Sequence, residues 1–169
     1  ALRKLKKSSM RLGINSVKLN ECDGLVSAGN TGALMAISKF VLKTIKAIDR
    51  PAIAALMPTM KGQTVILDLG ANVECSSENL VQFAIMGDMF SRSVLGTKNP
   101  KLGLLNVGSE QIKGNTVVKK TFDDLKKMNS KINFFGFVEG NDINKGIVDV
   151  IVTDGFSGNI ALKTAEGVA

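Results

Sequence analysis

The sequence predicts an α/β fold with a mainly parallel sheet, and two observations lead to this fold class. Short apolar runs alternate with segments of helical periodicity along the chain, as in folds built from strand–helix units. Three apolar runs also end in turns that contain both glycine and asparagine, at residues 27–33, 67–72 and 154–159. Because the carboxyl ends of parallel strands lie along one edge of a sheet, we expect these turns to form a shared ligand site there.

The first third of the chain is predicted to hold one strand between two helices. Apolar residues at helical spacing predict a helix over 9–20 with Ser8 or Ser9 as its N-cap. A strand is expected over 25–28, and the turn after it leads into a helix whose apolar spacing continues over 34–49. A glycine-rich turn at a helix N-terminus suits an anion such as phosphate, although glycine and asparagine also occur in turns that bind nothing.

Strands and helices alternate in the rest of the chain. Runs rich in Val, Ile and Leu predict buried strands, and apolar spacing of three and four residues predicts helices. Gly87 falls inside a long predicted helix, which indicates close approach of another element, either in this chain or in a second subunit. The predicted strands are 52–57, 64–69, 102–107, 132–138 and 148–152, and the predicted helices run from Ser76 or Ser77 to Gly96, from a cap at Thr116 to Met128, and onward from Gly158.

Length and composition favour a single globular α/β domain over residues 1–169. The chain has 169 residues, of which 44% are apolar, and this is enough to bury a core. No apolar run approaches the roughly 20 residues that span a bilayer, and no signal peptide is recognisable. The chain begins with Ala1 and ends inside a predicted helix, so we interpret it as a segment of a longer parent chain, truncated at both ends. Cys22 and Cys75 lie far apart in the sequence, which favours a reduced, cytoplasmic protein.

The sequence contains no histidine, which removes Ser–His and Cys–His nucleophilic pairs and histidine-ligated zinc from these residues. The two cysteines have no metal-ligand spacing, and neither G-x-G-x-x-G nor G-x-x-x-x-G-K-[ST] occurs. We therefore predict no metal and no cofactor, and nicotinamide and P-loop nucleotide enzymes are disfavoured. Acid–base chemistry would fall to Lys, Asp or Glu, or would be replaced by electrostatic positioning of an anion.

The net charge of +7 is concentrated in two segments. Residues 3–18 contain six basic residues and no acid, and residues 119–131 contain five lysines with only two aspartates among them. The ordinary interpretation of such segments is a solvated outer face, but they also suit an acidic protein or an anionic lipid. Nucleic acid is the least expected partner, because the chain has no Trp or Tyr and no recognised binding motif.

Seven short blocks occur in an order that is typical of one enzyme family. The blocks are SAGNTGA at 27–33, DRPA at 49–52, LDLGAN at 67–72, QFAIMG at 82–87, GLLNVG at 103–108, KGN at 113–115 and DGFSGN at 154–159. Together they resemble the PlsX-type phosphate acyltransferases of bacterial phospholipid synthesis, and the resemblance covers almost the whole chain. Proteins of that family are about twice this long, so the resemblance implies a central segment.

The resemblance implies transfer of a fatty acyl group from acyl carrier protein to inorganic phosphate, which gives acyl phosphate. It also implies an α/β/α sandwich similar to the isocitrate and isopropylmalate dehydrogenases, a homodimer, and peripheral contact with the inner face of an anionic cell membrane. The residues that match the family's catalytic positions are Lys113 and Asn159. The residues expected to bind phosphate or substrate are Ser27, Gly29, Asn30, Thr31, Gly32, Asn72 and Gly158.

One residue departs from the family pattern, and two other functional classes stay open. Ser109 stands where an acid is expected beside Glu110, so Glu110 would carry any role of that carboxylate alone. The first alternative class is a phosphotransacetylase-like enzyme that uses acyl-coenzyme A. The second is a non-catalytic module that binds acidic carrier protein or lipid through its basic residues. Thioester assays with both carriers, with and without phosphate, separate these classes.

Overall fold

The computed structural model describes residues 7–128 and 130–168, and the chain forms two compact units, Ala1–Pro51 and Ala52–Ala169. Each unit has its own cluster of buried apolar side chains. Arg3, Lys4 and Lys6, which belong to the first predicted basic segment, lie outside the described residues. A single domain over residues 1–169 stays a prediction.

The first unit contains two helices that pack through a small apolar core. Helix α1 (Ser9–Lys18) begins after Ser8, whose hydroxyl oxygen accepts a hydrogen bond from a backbone N–H of the first turn, so the predicted N-cap is confirmed. Helix α2 (Thr31–Leu42) begins after Asn30. The side chains buried between the two helices are Ile14, Ile37 and Val41.

Two sequence predictions for this unit are wrong. The strand expected over 25–28 does not form, because Val26 is 99% exposed and no described strand pairs with this segment. Helix α2 ends at Leu42 rather than near residue 49, since Lys43 adopts a positive φ of 68° and Ile45 beyond it is 75% exposed. Apolar residues at the right spacing therefore do not extend a helix that has nothing to pack against.

The second unit is built on a sheet whose described strands are β1 (Ala54–Thr59), β2 (Gly62–Leu67), β3 (Lys101–Leu105), β4 (Asn133–Val138) and β5 (Val150–Val152). Their order across the sheet is β1–β2–β5–β3–β4. Strands β2, β5, β3 and β4 run parallel, and β1 pairs antiparallel with β2 at one edge. Pro58 lies within β1 instead of ending it, which an edge strand tolerates because one side of it makes no ladder hydrogen bonds. The predicted mainly parallel sheet is confirmed.

Helices lie on both faces of this sheet. Helices α3 (Ser77–Leu95) and α4 (Thr116–Lys127) cover one face, while α5 (Gly155–Val168) and a 3₁₀ turn (Gly140–Lys145) pack on the other. Side chains alternate along the central strands, so Val65 and Leu67 enter the first core and Ile66 enters the second. None of the described helices combines the length and apolar character that a membrane crossing requires.

The ends of the helices on the first face follow local capping rules. Helix α3 begins after Ser76 and ends at Gly96, whose φ of 72° is left-handed, and both ends are as predicted. Helix α4 differs from the prediction, because its N-cap is Asn115 and not Thr116. The Asn115 Oδ1 accepts the N–H of Val118 at 2.9 Å, so the amide side chain one residue before Thr116 caps the helix.

Gly87 allows α3 to approach the sheet closely. A Cβ atom at this position would lie 2.6 Å from Cγ1 of Val150 and 2.9 Å from Cδ2 of Leu67, which are both buried. Packing within the chain therefore accounts for this glycine, and no second subunit is needed to explain it.

Gly87→Ala is expected to lower the free energy of unfolding by about 1–2 kcal/mol, because overpacking outweighs alanine's gain in helix propensity of up to about 1 kcal/mol. Urea unfolding followed by circular dichroism measures this loss. Gly167→Ala is the matched control, since Gly167 lies in α5 and an added Cβ would meet no atom within 4 Å. A Gly87→Ala protein as stable as the wild type would contradict the close packing.

Candidate active site

The turn after β2 is organised by the buried carboxylate of Asp68. Its Oδ1 accepts hydrogen bonds from the N–H groups of Ile53 at 2.9 Å and Ala71 at 3.1 Å. Its Oδ2 accepts two more from Asn72, from the backbone N–H at 2.6 Å and from Nδ2 at 2.9 Å. Asp68 is 0% exposed, so these four donors take the place of water around its charge. The side chain of Asn72, a predicted phosphate ligand, thus helps to hold this turn.

The N-terminus of α5 is closed by Asp154. The carboxylate accepts the backbone N–H of Ser157 at 2.8 Å and the hydroxyl of Ser157 at 3.0 Å. Because this cap starts the helix at Gly155, the predicted start at Gly158 is wrong. The N–H of Gly155 donates to the carbonyl of Asn72 at 2.8 Å, which joins the start of α5 to the turn after β2.

Gly158 and Asn159 lie in the first turns of α5 and contact the same β2 turn. A Cβ atom at Gly158 would overlap the carbonyl oxygen of Asp68, so this buried glycine permits direct contact between helix and turn. Its N–H already donates to the carbonyl of Asp154 at 3.0 Å. Asn159 is exposed, and its Oδ1 lies 3.4 Å from the position of a Cβ on Gly70, where a φ of 118° favours glycine.

Lys113 lies in the loop between β3 and α4, and the side chain of Asn106 donates hydrogen bonds to the backbone of this loop. The Asn106 Nδ2 donates to the carbonyl of Gly108 at 3.0 Å and to the carbonyl of Lys113 at 3.3 Å. Asn106 is itself tied to β4, because its N–H donates to the carbonyl of Val138 at 2.9 Å. The Lys113 side chain is exposed and forms no ion pair with a described residue, so its charge is available to an incoming anion.

The carboxylate of Glu110 lies in the same loop as Lys113. A Cβ atom on Gly108 would be 2.8 Å from Oε2 of Glu110 and 3.1 Å from Cγ of Lys113, so both side chains flank this glycine. Ser109, which replaces the acid expected beside Glu110, is exposed. The loop therefore presents one carboxylate and one ammonium group around a residue that has no side chain of its own.

A cavity of about 400 Å³, which we term the edge cavity, lies at the carboxyl ends of the parallel strands. It is bordered by the turn after β2, the N-terminus of α4 and the N-terminus of α5. The polar residues in its wall are Glu74, Cys75, Asn115, Asp154 and Ser157. Neither Lys113 nor Asn159 is among the described residues that line it, although both belong to the segments that border it.

The edge cavity has opposing electrostatic contributions. The N-termini of α4 and α5 supply partial positive charge, whereas Glu74 and Asp154 supply two carboxylates. A phosphate at this edge therefore needs a full positive charge in addition to the helix ends. Lys113 lies two residues before the α4 cap Asn115, which is part of the wall.

The predicted ligands of the first unit lie around the N-terminus of α2. They are Ser27, Gly29, Asn30, Thr31 and Gly32. The Asn30 Oδ1 caps the helix by accepting the N–H of Ala33 at 2.9 Å, and the Ser27 hydroxyl accepts the N–H of Gly29 at 3.2 Å. The N–H groups of Thr31 and Gly32 donate to no described residue, so this exposed helix end can accept an anion.

Of the residues predicted for the second unit, the structure brings Asn72, Gly158 and Asn159 together around the turn after β2, but shows no contact between them and Lys113. The backbone of Asn72 contacts the start of α5, Asn159 contacts Gly70, and Lys113 lies close in sequence to the cavity wall. Sequence reasoning missed the side chains that hold these segments, which are Asp68, Asn106 and Asp154. Asp154 carried the clearest local signal, because Asp is a preferred residue directly before the first residue of a helix.

The basic helix α4 is partly neutralised by neighbouring acids. Lys120 forms an ion pair with Glu78 of α3. The hydrogen bond between them lowers the pKa of Glu78 to about 2 and raises the pKa of Lys120. Lys127 pairs with Asp124 at 3.5 Å. The α4 lysines without an ion pair to a described residue are Lys119 and Lys126.

Solved structures of phosphotransacetylases share this fold. The EutD phosphotransacetylase from Staphylococcus aureus and a phosphotransacetylase from Streptococcus pyogenes match with TM-scores of 0.72 and 0.73. Each match covers 93% of this chain and 54% of the solved chain, at 20% sequence identity. The class defined by the fold is thus an α/β protein with a mostly parallel sheet, of the architecture seen in phosphotransacetylases.

The sequence places the chain more narrowly. The fatty acid synthesis protein family matches residues 1–169, and the chain belongs to this family. Phosphate acyltransferases from Rhodospirillum centenum and Paramagnetospirillum magneticum are 62% and 61% identical to it over 100% and 98% of its length. The chain spans about half the length of these relatives, 48% and 47% respectively. The resemblance drawn from the seven sequence blocks is confirmed.

Proposed function

We propose that the full-length protein that contains this chain transfers a fatty acyl group from acyl carrier protein to inorganic phosphate. The observation that carries the proposal is identity of 61–62% to phosphate acyltransferases along nearly the whole chain. In this reaction a phosphate oxygen attacks the carbonyl carbon of the thioester and forms a tetrahedral intermediate. The carbon–sulfur bond then breaks, the thiol leaves with a proton, and acyl phosphate remains.

The candidate active site suits this reaction because phosphate is itself the nucleophile. No histidine is needed to activate a serine or cysteine, which agrees with a sequence that has none. The requirements are to hold an anion against the thioester and to stabilise the oxyanion that forms, tasks for which an ammonium group and amide N–H groups suffice. We assign the ammonium to Lys113 and the amide to Asn159. Asn72 and Gly158 support this part of the site by holding the turn after β2 against α5, and the turn at 27–32 in the first unit is a phosphate-binding candidate in its own right.

A direct assay of the full-length protein tests the proposal. Acyl carrier protein loaded with a long-chain acyl group is incubated with and without inorganic phosphate. The protein thioester is then removed, because hydroxylamine would cleave it directly, and the acyl phosphate that remains is trapped with hydroxylamine. We expect phosphate-dependent release of free carrier thiol in equal amount to the trapped product. Cleavage at the same rate without phosphate, or no cleavage at all, would contradict the proposed function.

A second candidate function is phosphate-dependent cleavage of acyl-coenzyme A. The phosphotransacetylase fold of the solved structures favours it, because those proteins share the architecture of this chain. The two functions are separated by offering the same acyl group on carrier protein and on coenzyme A in parallel reactions. A higher kcat/KM with the carrier-protein thioester supports the first function, and the reverse supports the second.

The free charges of α4 lead to a prediction about the acidic carrier protein. Reversing Lys119 and Lys126 to Glu is expected to weaken binding by about threefold to tenfold, since exposed charge pairs contribute up to about 1 kcal/mol each. The loss should shrink at high salt, where such charges are screened. Titration by fluorescence anisotropy measures the dissociation constant. Reversing Lys61 and Lys98, which lie outside α4, are exposed and form no ion pair with a described residue, changes the net charge equally and is the control. Equal effects of both pairs would contradict a binding face on α4.

The proposal extends to the assembly and location of the full-length protein. From the family resemblance we infer a homodimer, a cytoplasmic location with peripheral contact to anionic membrane, and a fold of the isocitrate and isopropylmalate dehydrogenase group. A non-catalytic module that binds acidic carrier protein or lipid is the remaining alternative. Sedimentation equilibrium tests the dimer, and co-flotation with anionic and with neutral vesicles tests the membrane contact.

A further inference from the structure

We propose that Asn106 is a positioning residue for Lys113, and this inference rests on the proposed function. Asn106 follows β3 directly and is only 9% exposed. Its two Nδ2 protons are donated to the carbonyls of Gly108 and Lys113, which lie near the two ends of the loop. One buried side chain thus fixes both ends of the segment that carries the candidate catalytic lysine.

The rest of the loop depends on this amide. Gly114 has a φ of 88°, and a Cβ atom there would overlap Oδ1 of Asn106, so the backbone closes directly over the side chain. Within the loop, the N–H of Lys113 donates to the carbonyl of Glu110 at 3.0 Å. Because the N–H of Asn106 is bonded to Val138 of β4, the loop is tied through this residue to the sheet itself.

The consequence concerns where the Lys113 ammonium is held. An exposed lysine in an unconstrained loop would sample many positions, and an electrostatic contribution to an oxyanion depends on pre-organisation. Asn106 limits this freedom at the backbone of Lys113 and leaves its side chain exposed. Asn106 touches neither phosphate nor thioester in this scheme, and it acts through Lys113 alone.

The test is a double-mutant cycle in the full-length protein. Asn106→Ala is expected to lower kcat/KM for phosphate by about tenfold to 10²-fold, the loss typical of a displaced catalytic group. In a Lys113→Met background, the same substitution should have no further effect on the rate, because the lysine it positions is gone. Asn106→Asp should resemble Asn106→Ala, since a carboxylate keeps the shape but cannot donate to the two carbonyls.

A merely structural role gives a different result. It would reduce the rate by the same factor with and without Lys113, and such multiplying effects would overturn the inference. Asn133→Ala is the matched control. The Nδ2 of Asn133 also donates to a backbone carbonyl, that of Asn99 at 3.4 Å, but it lies where the parallel strands begin. This control should leave kcat/KM unchanged.

Hydrogen exchange separates failure of this inference from failure of the proposed function. Amide exchange of Lys113, whose N–H donates to the carbonyl of Glu110, should be at least tenfold faster in Asn106→Ala than in the wild type, because loss of the side-chain bonds opens the loop. Unchanged exchange would overturn the role of Asn106 whatever the activity. A wild-type protein without phosphate-dependent cleavage would overturn the proposed function, and the exchange result would still decide whether Asn106 holds the loop.

Discussion

Lys113→Met in the full-length protein is expected to lower acyl phosphate formation by about 10²-fold or more, as for the loss of an oxyanion-stabilising group. The loop places this ammonium after β3 at the edge where the parallel strands end, exposed and without an ion pair to a described residue. Its charge is therefore not committed to stability. The rate of hydroxylamine-trapped product at saturating thioester measures the effect.

The controls for Lys113 separate charge from folding. Lys113→Arg should recover part of the rate, because the charge is kept while the geometry of the donors changes. Lys98→Met is the matched control, since Lys98 is also an exposed loop lysine but precedes β3, where the parallel strands begin and not where they end. All three variants should unfold at urea concentrations close to that of the wild type. A Lys113→Met protein with near-normal turnover would contradict the assignment of Lys113 to the active site.

Asp68→Ala is expected to give the largest loss of stability, about 3 kcal/mol or more, because each buried donor left unsatisfied costs about 1–3 kcal/mol. Four donors lose their acceptor at once: three backbone N–H groups and the Nδ2 of Asn72. The start of α5 also rests against the Asp68 carbonyl through Gly158. The free energy of unfolding from urea titration measures the loss.

Two further variants make this prediction specific. Asp68→Asn keeps one oxygen acceptor and turns the other into a donor, so its loss should lie between those of the wild type and Asp68→Ala. Asp149→Ala is the control, because the Asp149 Oδ2 accepts the N–H of Lys101 at 2.7 Å and this single bond predicts a loss of about 1 kcal/mol. Equal losses for Asp68→Ala and Asp149→Ala would contradict the organising role of Asp68.

The sequence by itself determined the features that depend on neighbours along the chain. Helices begin after Ser8 and Ser76 and end at Gly96, as predicted, because caps and left-handed glycines act within one turn of the helix. The buried runs of β2, β3 and β5 were recognisable as strands of a mainly parallel sheet, since strands covered on both faces are continuously apolar. The order of the short blocks was enough to identify the family.

Tertiary structure decided whatever needs a distant partner. Residues 25–28 have a strand-like composition but no strand beside them, and residues 43–49 keep helical spacing with nothing to cover Ile45. Asp68 and Asn106 look like ordinary turn residues until their acceptors and donors are known. The hydrogen bond that the backbone N–H of Ile53 donates to the Asp68 side chain, 15 residues away, leaves no periodic pattern in the sequence. The candidate site residues Lys113 and Asn159 came from the order of the sequence blocks and stay predictions. The residues that hold their segments in place were not predicted, because burial and hydrogen-bond geometry arise only when the chain has folded.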